Sequence, residues 1–171
     1  MTRAQRSLLS AALCLAATSG AAIEPDAFGI PVEGIKASDL IDSWSKTRAE
    51  GRLHRAIDIP APVGTPVLAA MDGRIEKLFA SKRGGLTIYQ RSPDGGLILY
   101  YAHLQAYRRG LVEGQVVARG QVIATVGASG NADPAFPHLH FQILKTAPGS
   151  GWQDGDPVNP YPLLTGRRAH P

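Results

Sequence analysis

The 171-residue sequence holds a single cysteine, Cys14. One thiol excludes an internal disulfide and any site built on paired thiolates. The apolar run Leu8–Ala17 falls short of the ~20 residues that a membrane-spanning helix needs. Charge of one sign is not in excess: the formal net charge is +4. No basic patch for nucleic acid follows from that balance. No long stretch repeats with helical period, which argues against a helical bundle. The Met-Lys acceptor of a lipoyl or biotinyl carrier is missing around "AAMDGRI", and no His-Glu-x-x-His run supplies a helical zinc site with its own base.

What is present begins with a targeting signal. "MTRAQRSLLSAALCLAATSGAAIEP" offers Arg3 and Arg6, then the apolar run, then small residues. This is the pattern of a secretory signal peptide, with cleavage expected after Ala21 or Ala22. Leu13 precedes Cys14 where a lipoprotein would place a small residue, so Cys14 is expected to leave with the signal. The mature chain then has no thiol, and its formal charge falls to +2. Residues 1–22 are thus assigned to the signal, 23–50 to an N-terminal extension or linker, 51–147 to one catalytic domain, and 148–171 to a Pro-rich tail packing on it. Ser38 is a candidate N-cap for one helical turn. His170 and the pair Arg167-Arg168 lie in the tail and are read as bystanders.

Strand signals dominate from Leu53 to Leu144. "GTPVLA", "GRIEKLFA", "LTIYQRS", "LILYYAHL", "QVIATVG" and "HLHFQIL" are short, alternating, and rich in β-branched or aromatic residues. "SPDGG" reads as a hairpin turn. The fold class expected is mainly β: a compact antiparallel sheet or sandwich with short strands and long loops. "GTPVLAAMDGRI" and "GQVVARGQVI" echo one another, which suggests two related β units.

The chemistry-bearing residues sit within this β framework. His138 and His140 alternate in "FPHLHFQIL", so on a strand they share one face at roughly 6.5–7 Å. That separation lets one ring bind a metal while the other reaches a group beside it. His54 and Asp58 are spaced as helical zinc ligands are, but Pro60, Pro62 and Pro66 exclude a helix there. Fully extended, the two would stand ~13 Å apart, so a bend near Arg55-Ala56 must return His54 to Asp58. Asp58 alternates with Ile57 and Ile59, and an inward carboxylate needs a metal or a basic partner. His54, Asp58 and one histidine of the pair make a His₂Asp set suited to Zn²⁺ with an open fourth position. The other histidine of the pair and His103, in "YYAHL", remain for acid–base work.

At these residues the sequence resembles the lysostaphin-type zinc metallopeptidases, which are cell-wall endopeptidases. The likeness runs from about Gly51 to Leu144 and reaches toward "PVNPYPLL". Its carriers are His54-x-x-x-Asp58, His103, and His138-x-His140, with "DIPAPVGTPVLAAMDGRI", "YAHL", "GQVVARGQVIATVG" and "GNADPAFPHLHFQI" around them. One departure stands out: Ala56 replaces the glycine usual at that position. The resemblance implies that His54, Asp58 and His140 hold zinc and that His103 and His138 are the catalytic histidines. It implies hydrolysis of peptide cross-links in peptidoglycan. The signal peptide implies the periplasm or cell envelope, with no stable membrane insertion after its cleavage, and a monomer is expected. D-alanyl–diaminopimelyl links and glycine bridges are both cut within that family. The Ala- and Arg-rich composition and lone catalytic domain lean toward a Gram-negative periplasm and the former link. The competing expectation is a weakly active or non-catalytic regulator of another wall hydrolase. Retention of all five residues favours an enzyme.

Overall fold

The computed structural model describes residues 23–48 and 51–166, so the signal segment, Arg167-Arg168 and His170 lie outside the described residues. Nine strands form one antiparallel sheet. They are β1 (Ile57–Pro60), β2 (Pro66–Leu68), β3 (Gly73–Ser81), β4 (Gly85–Arg91), β5 (Leu97–Tyr107), β6 (Val116–Val117), β7 (Val122–Val126), β8 (His138–Lys145) and β9 (Asp156–Val158). The main path runs β1-β8-β5-β4-β3-β6, with β9 beside β8 and with β7 joining β2 to β5. All six expected strand segments are strands. "SPDGG" makes the β4–β5 turn, where Gly95 takes φ 77° and its N–H reaches the Ser92 carbonyl at 3.0 Å.

Alternation divides the central strands between two tasks. Ile57 and Ile59 of β1, Leu99 and Tyr101 of β5, and Leu139, Phe141 and Ile143 of β8 are buried in one core. Asp58, Ala102, His138 and His140, which alternate with these core residues, belong to the opposite face. Cross-strand register fixes their alignment: Asp58 pairs with His140, Pro60 with His138, and Ala102 with His140.

The echoing segments clasp each other. β2 pairs with β7, and β3 with β6. Gly64 N–H donates to the Val126 carbonyl at 2.9 Å while Val126 N–H returns to Thr65 at 2.8 Å. Gly114 and Gln115 make the matching pair with Ile75 at 2.7 and 2.8 Å. Gly64 and Gly114 both take positive φ, 90° and 85°, so the turn that enters each unit needs the same backbone freedom.

The flanks contribute to the core. In residues 23–48, assigned to an extension or linker, Phe28, Val32 and Leu40 are buried, and Val32 bridges to Val67. The short turn there spans Ala37–Asp39, and Lys36 rather than Ser38 is its N-cap. The Lys36 N–H donates to Asp39 Oδ2 at 2.9 Å, and Ser38 lies within the turn. In the tail, β9 extends the sheet and a short helix, α1 (Pro160–Thr165), buries Pro160, Tyr161 and Leu164. Asn159 caps that helix by accepting from the Tyr161 N–H at 2.9 Å. Prolines at 157, 160 and 162 pointed to an irregular wrap. A proline in the first helical turn forfeits no helical hydrogen bond, so it suits this helix start instead.

Candidate metal centre and active site

The bend before β1 falls on Arg55, which takes φ 51°. Ala56, in place of the glycine usual in lysostaphin-type enzymes, has ordinary negative φ and is wholly buried, so its Cβ is accommodated. The turned-back chain is held by two main-chain bonds, His54 N–H to Lys46 at 2.9 Å and Arg55 N–H to Trp44 at 3.1 Å. His54 thereby returns beside Asp58.

Three donor atoms form a small triangle. His54 Nε2 lies 2.9 Å from Asp58 Oδ1 and 3.0 Å from His140 Nδ1, and His140 Nδ1 lies 3.1 Å from Asp58 Oδ1. A tetrahedral zinc with bonds of about 2.0–2.2 Å sets ligand edges of roughly 3.3–3.6 Å. The triangle need open by only about half an ångström to match. The donor set is chemically apt as well, with two imidazole nitrogens, one carboxylate, and no thiolate that would close a structural site.

His103 and His138 stand beside the triangle. The His103 ring is 5.0 Å from that of His138 and 5.7 Å from that of His140, centre to centre. His138 Nε2 is 3.7 Å from Asp58 Oδ1. Register explains how His140 and His138 arrive, but not His103. Because Ala102 is the residue facing His140, simple alternation would send His103 to the core face. The β4–β5 register slips between Leu86 and Ile88, and His103 takes φ 61°. A bulge of this kind re-aims a side chain. Positive φ in a non-glycine residue costs about 1–3 kcal/mol and persists only where the surroundings impose it. Here the His103 N–H is held by the Gly84 carbonyl at 2.8 Å.

Main-chain carbonyls set the tautomers. His54 Nδ1 donates to Ser43 at 3.0 Å, His103 Nδ1 to Ser129 at 2.9 Å, and His138 Nδ1 to Phe136 at 2.8 Å. Each bond places the proton on Nδ1 and leaves an Nε2 lone pair directed into the site. Burial lowers His103 to about 4, against the pull of its bond to Ser129, so its imidazole is neutral near pH 7. Burial also lowers His140, with Asp58 opposing. Burial alone would raise Asp58, but bonds with His140 and His54 hold its carboxyl far below the usual range.

Three residues here escape sequence reasoning. Ser43 offers its carbonyl to His54 and its hydroxyl to the Asp58 N–H at 3.2 Å, bracing two donors at once. Ser129 orients His103 and ties Leu86 and Leu104 together through its hydroxyl at 3.0 and 2.7 Å. Arg48 bonds Asp58 Oδ2 and places Nη2 2.6 Å from His54 Nε2. Nothing in "IDSWSKTR" or "GASG" marks these roles, since two of them use carbonyls that every residue possesses. Around the five residues opens a groove of about 1140 Å³ whose lining includes Arg83, Tyr100, Asn131 and the exposed Phe136.

Residues 52–160 match the model of peptidase family M23. The chain belongs to this family. Among M23-type relatives it is 34% identical, over 129 residues, to the L-Ala–D-Glu endopeptidase of Bacillus subtilis, covering 71% of this chain and 38% of that one. It is 36% identical to the DD-carboxypeptidase/endopeptidase Mpg of Neisseria meningitidis, covering 74% and 25%. The match thus spans less than two fifths of either relative's length. The catalytic domain of lysostaphin from Staphylococcus simulans superposes with a TM-score of 0.62 at 28% identity, covering 73% of this chain and 90% of that one. A zinc containing peptidase from Vibrio cholerae gives 0.57 at 28%, covering 70% and 37%. M23 enzymes depend on zinc, and the His54–Asp58–His140 cluster fits that ion.

Proposed function

We propose that this chain is an exported zinc endopeptidase that hydrolyses peptide cross-links of peptidoglycan, with His54, Asp58 and His140 holding the ion and His103 and His138 moving protons. The observation that carries this reading is the convergence of a three-donor triangle with two further imidazoles that stand beside it, each with its Nδ1 proton fixed by a main-chain carbonyl. A structural metal site would have no use for the last two.

Bound zinc supplies a Lewis acid and makes water acidic enough to serve as a nucleophile near neutral pH. The chain does the rest. A single carboxylate among the three donors leaves the centre net positive, which favours charge developing on a peptide carbonyl oxygen. Neutral His103, fixed by Ser129, keeps its Nε2 lone pair available to accept a proton. His138 Nε2, fixed through Phe136, faces the same space. An imidazole that has taken the proton becomes an N–H donor and can return it to the leaving amine. Groove walls carrying Tyr100 and Phe136 give an extended peptide an apolar flank. The N-terminal signal places this activity where peptidoglycan is.

Hydrolysis of purified peptidoglycan by the mature protein, lost with a chelator and restored by zinc, tests the reading. Binding to peptidoglycan without cleavage under any metal condition would overturn it in favour of a regulator. N-terminal sequencing should find secreted material starting after Ala21 or Ala22. A lipid-bearing start at Cys14 would refute the signal assignment.

A further inference from the structure

The tip of the β3–β4 hairpin forms one wall of the groove, and its position is tightly determined. The Arg83 carbonyl accepts the Asn131 N–H at 3.0 Å, and the Gly84 carbonyl accepts that of His103 at 2.8 Å. A Cβ on Gly84 would collide with the Tyr100 hydroxyl, and one on Gly85 with Ser129. The turn is therefore wedged between the His103 segment and the loop carrying Ser129. Arg83 is exposed, lines the groove, and is paired with no acid among the described residues. Elsewhere in the groove, Arg48 is engaged with Asp58, and Arg52 adds a third cation. Beyond Asp58, the acid that lines the groove among the described residues is Asp133.

A positive groove is wasted on a neutral oligoglycine and suits a peptide bearing carboxylates. Diaminopimelate links carry one at the decisive place, because the carbon attached to the scissile nitrogen also bears a carboxylate. An arginine fork pairs with such a group through two parallel hydrogen bonds. Resting on the peptidase reading above, we propose that Arg83 is a specificity residue that receives a free carboxylate beside the scissile bond, so that acidic cross-links are selected over neutral bridges.

The test uses the zinc-loaded protein and two synthetic D-alanyl–diaminopimelyl cross-linked peptides that differ only in whether that carboxylate is free or amidated. The free form should be favoured by about 10- to 100-fold in kcat/KM, mainly through KM, as expected for a hydrogen-bonded charge pair. Arg83→Gln should erase the preference by lowering kcat/KM for the free form far more than for the amidated one, with zinc content unchanged, and Arg83→Lys should restore part of the preference. Equal loss on both peptides in Arg83→Gln would mean a structural role and overturn the proposal. So would a wild-type protein indifferent to amidation. Calorimetric binding of the same peptides separates the two readings. If nothing is cleaved but Arg83→Gln still abolishes selective binding of the free form, the peptidase reading falls and this one stands. Equal binding of both peptides sinks this one alone.

Discussion

Three of the site's histidines are prepared by one device: a main-chain carbonyl accepts a hydrogen bond from Nδ1–H, which keeps the proton there and leaves Nε2 unprotonated. His140 differs, since it offers Nδ1 to the triangle. The difference separates donors from acid–base groups in a measurable way. His54→Ala or His140→Ala should empty the metal site and abolish cleavage, and stoichiometric zinc in either variant would disprove the ligand set. His138→Ala and His103→Ala should keep zinc while the rate falls by about 10²–10⁴-fold. Metal loss in His138→Ala with retention in His140→Ala would reverse the assignment. Arg48 belongs to the same scale. Its cation sits against one donor atom, His54 Nε2, and against the second oxygen of the Asp58 carboxylate, so it competes with a metal ion for the His54 lone pair and for the Asp58 charge. Its side chain is 43% exposed and free to swing aside. Arg48→Ala should therefore tighten zinc binding to the apoprotein several-fold, read by competition with a chromogenic chelator. Unchanged or weaker binding would reject competition.

Among the elements, the β2–β3 connection is tied to β4 and β5 by a buried polar chain. Tyr101 donates to Gln90 Oε1 at 2.6 Å and accepts the Ala70 N–H at 2.9 Å, while Gln90 Nε2 donates to Met71 at 2.7 Å. Tyr101→Phe strands a buried N–H and a buried amide oxygen. It should cost about 1–3 kcal/mol for each group left unpaired, measured by urea unfolding. A loss under ~0.5 kcal/mol would show that water rescues both. Strand positions were legible because a sheet with one buried face writes period two into the sequence, as in "HLHFQIL". The clasp was legible only as an echo, since pairing between segments some fifty residues apart leaves no local pattern. β6, with two residues, and β9 were too short to register. The aim of His103 was illegible for another reason. It depends on a register slip against β4, and "YYAHL" reads the same with or without one. The approach of His54 to Asp58 was legible because prolines closed off the helical alternative, leaving a bend as the way to bring the two together.

At the scale of the whole molecule, His103 couples folding to acidity. Its pKa is about 4 in the folded chain against 6.5 for a free imidazole. The folded state thus prefers the neutral ring. The resulting stability is complete above pH 6.5 and drains away as pH falls toward 4. Asp58, held low, works in the same direction over a more acidic range. Urea midpoints of the apoprotein should therefore drop between pH 7 and pH 4.5, and a flat or rising midpoint would contradict a neutral buried His103. The pairing of β1 with β8 has a consequence of its own. It joins Asp58 to His140, 82 residues further along the chain. Closing so large a loop makes folding slow relative to chains rich in local contacts. A chain emerging from the ribosome would display His54 and Asp58 long before His140 exists, and two donors hold zinc poorly. The candidate metal site therefore gains its third donor only once His140 has been made, and a polypeptide stopped short of that strand carries only two.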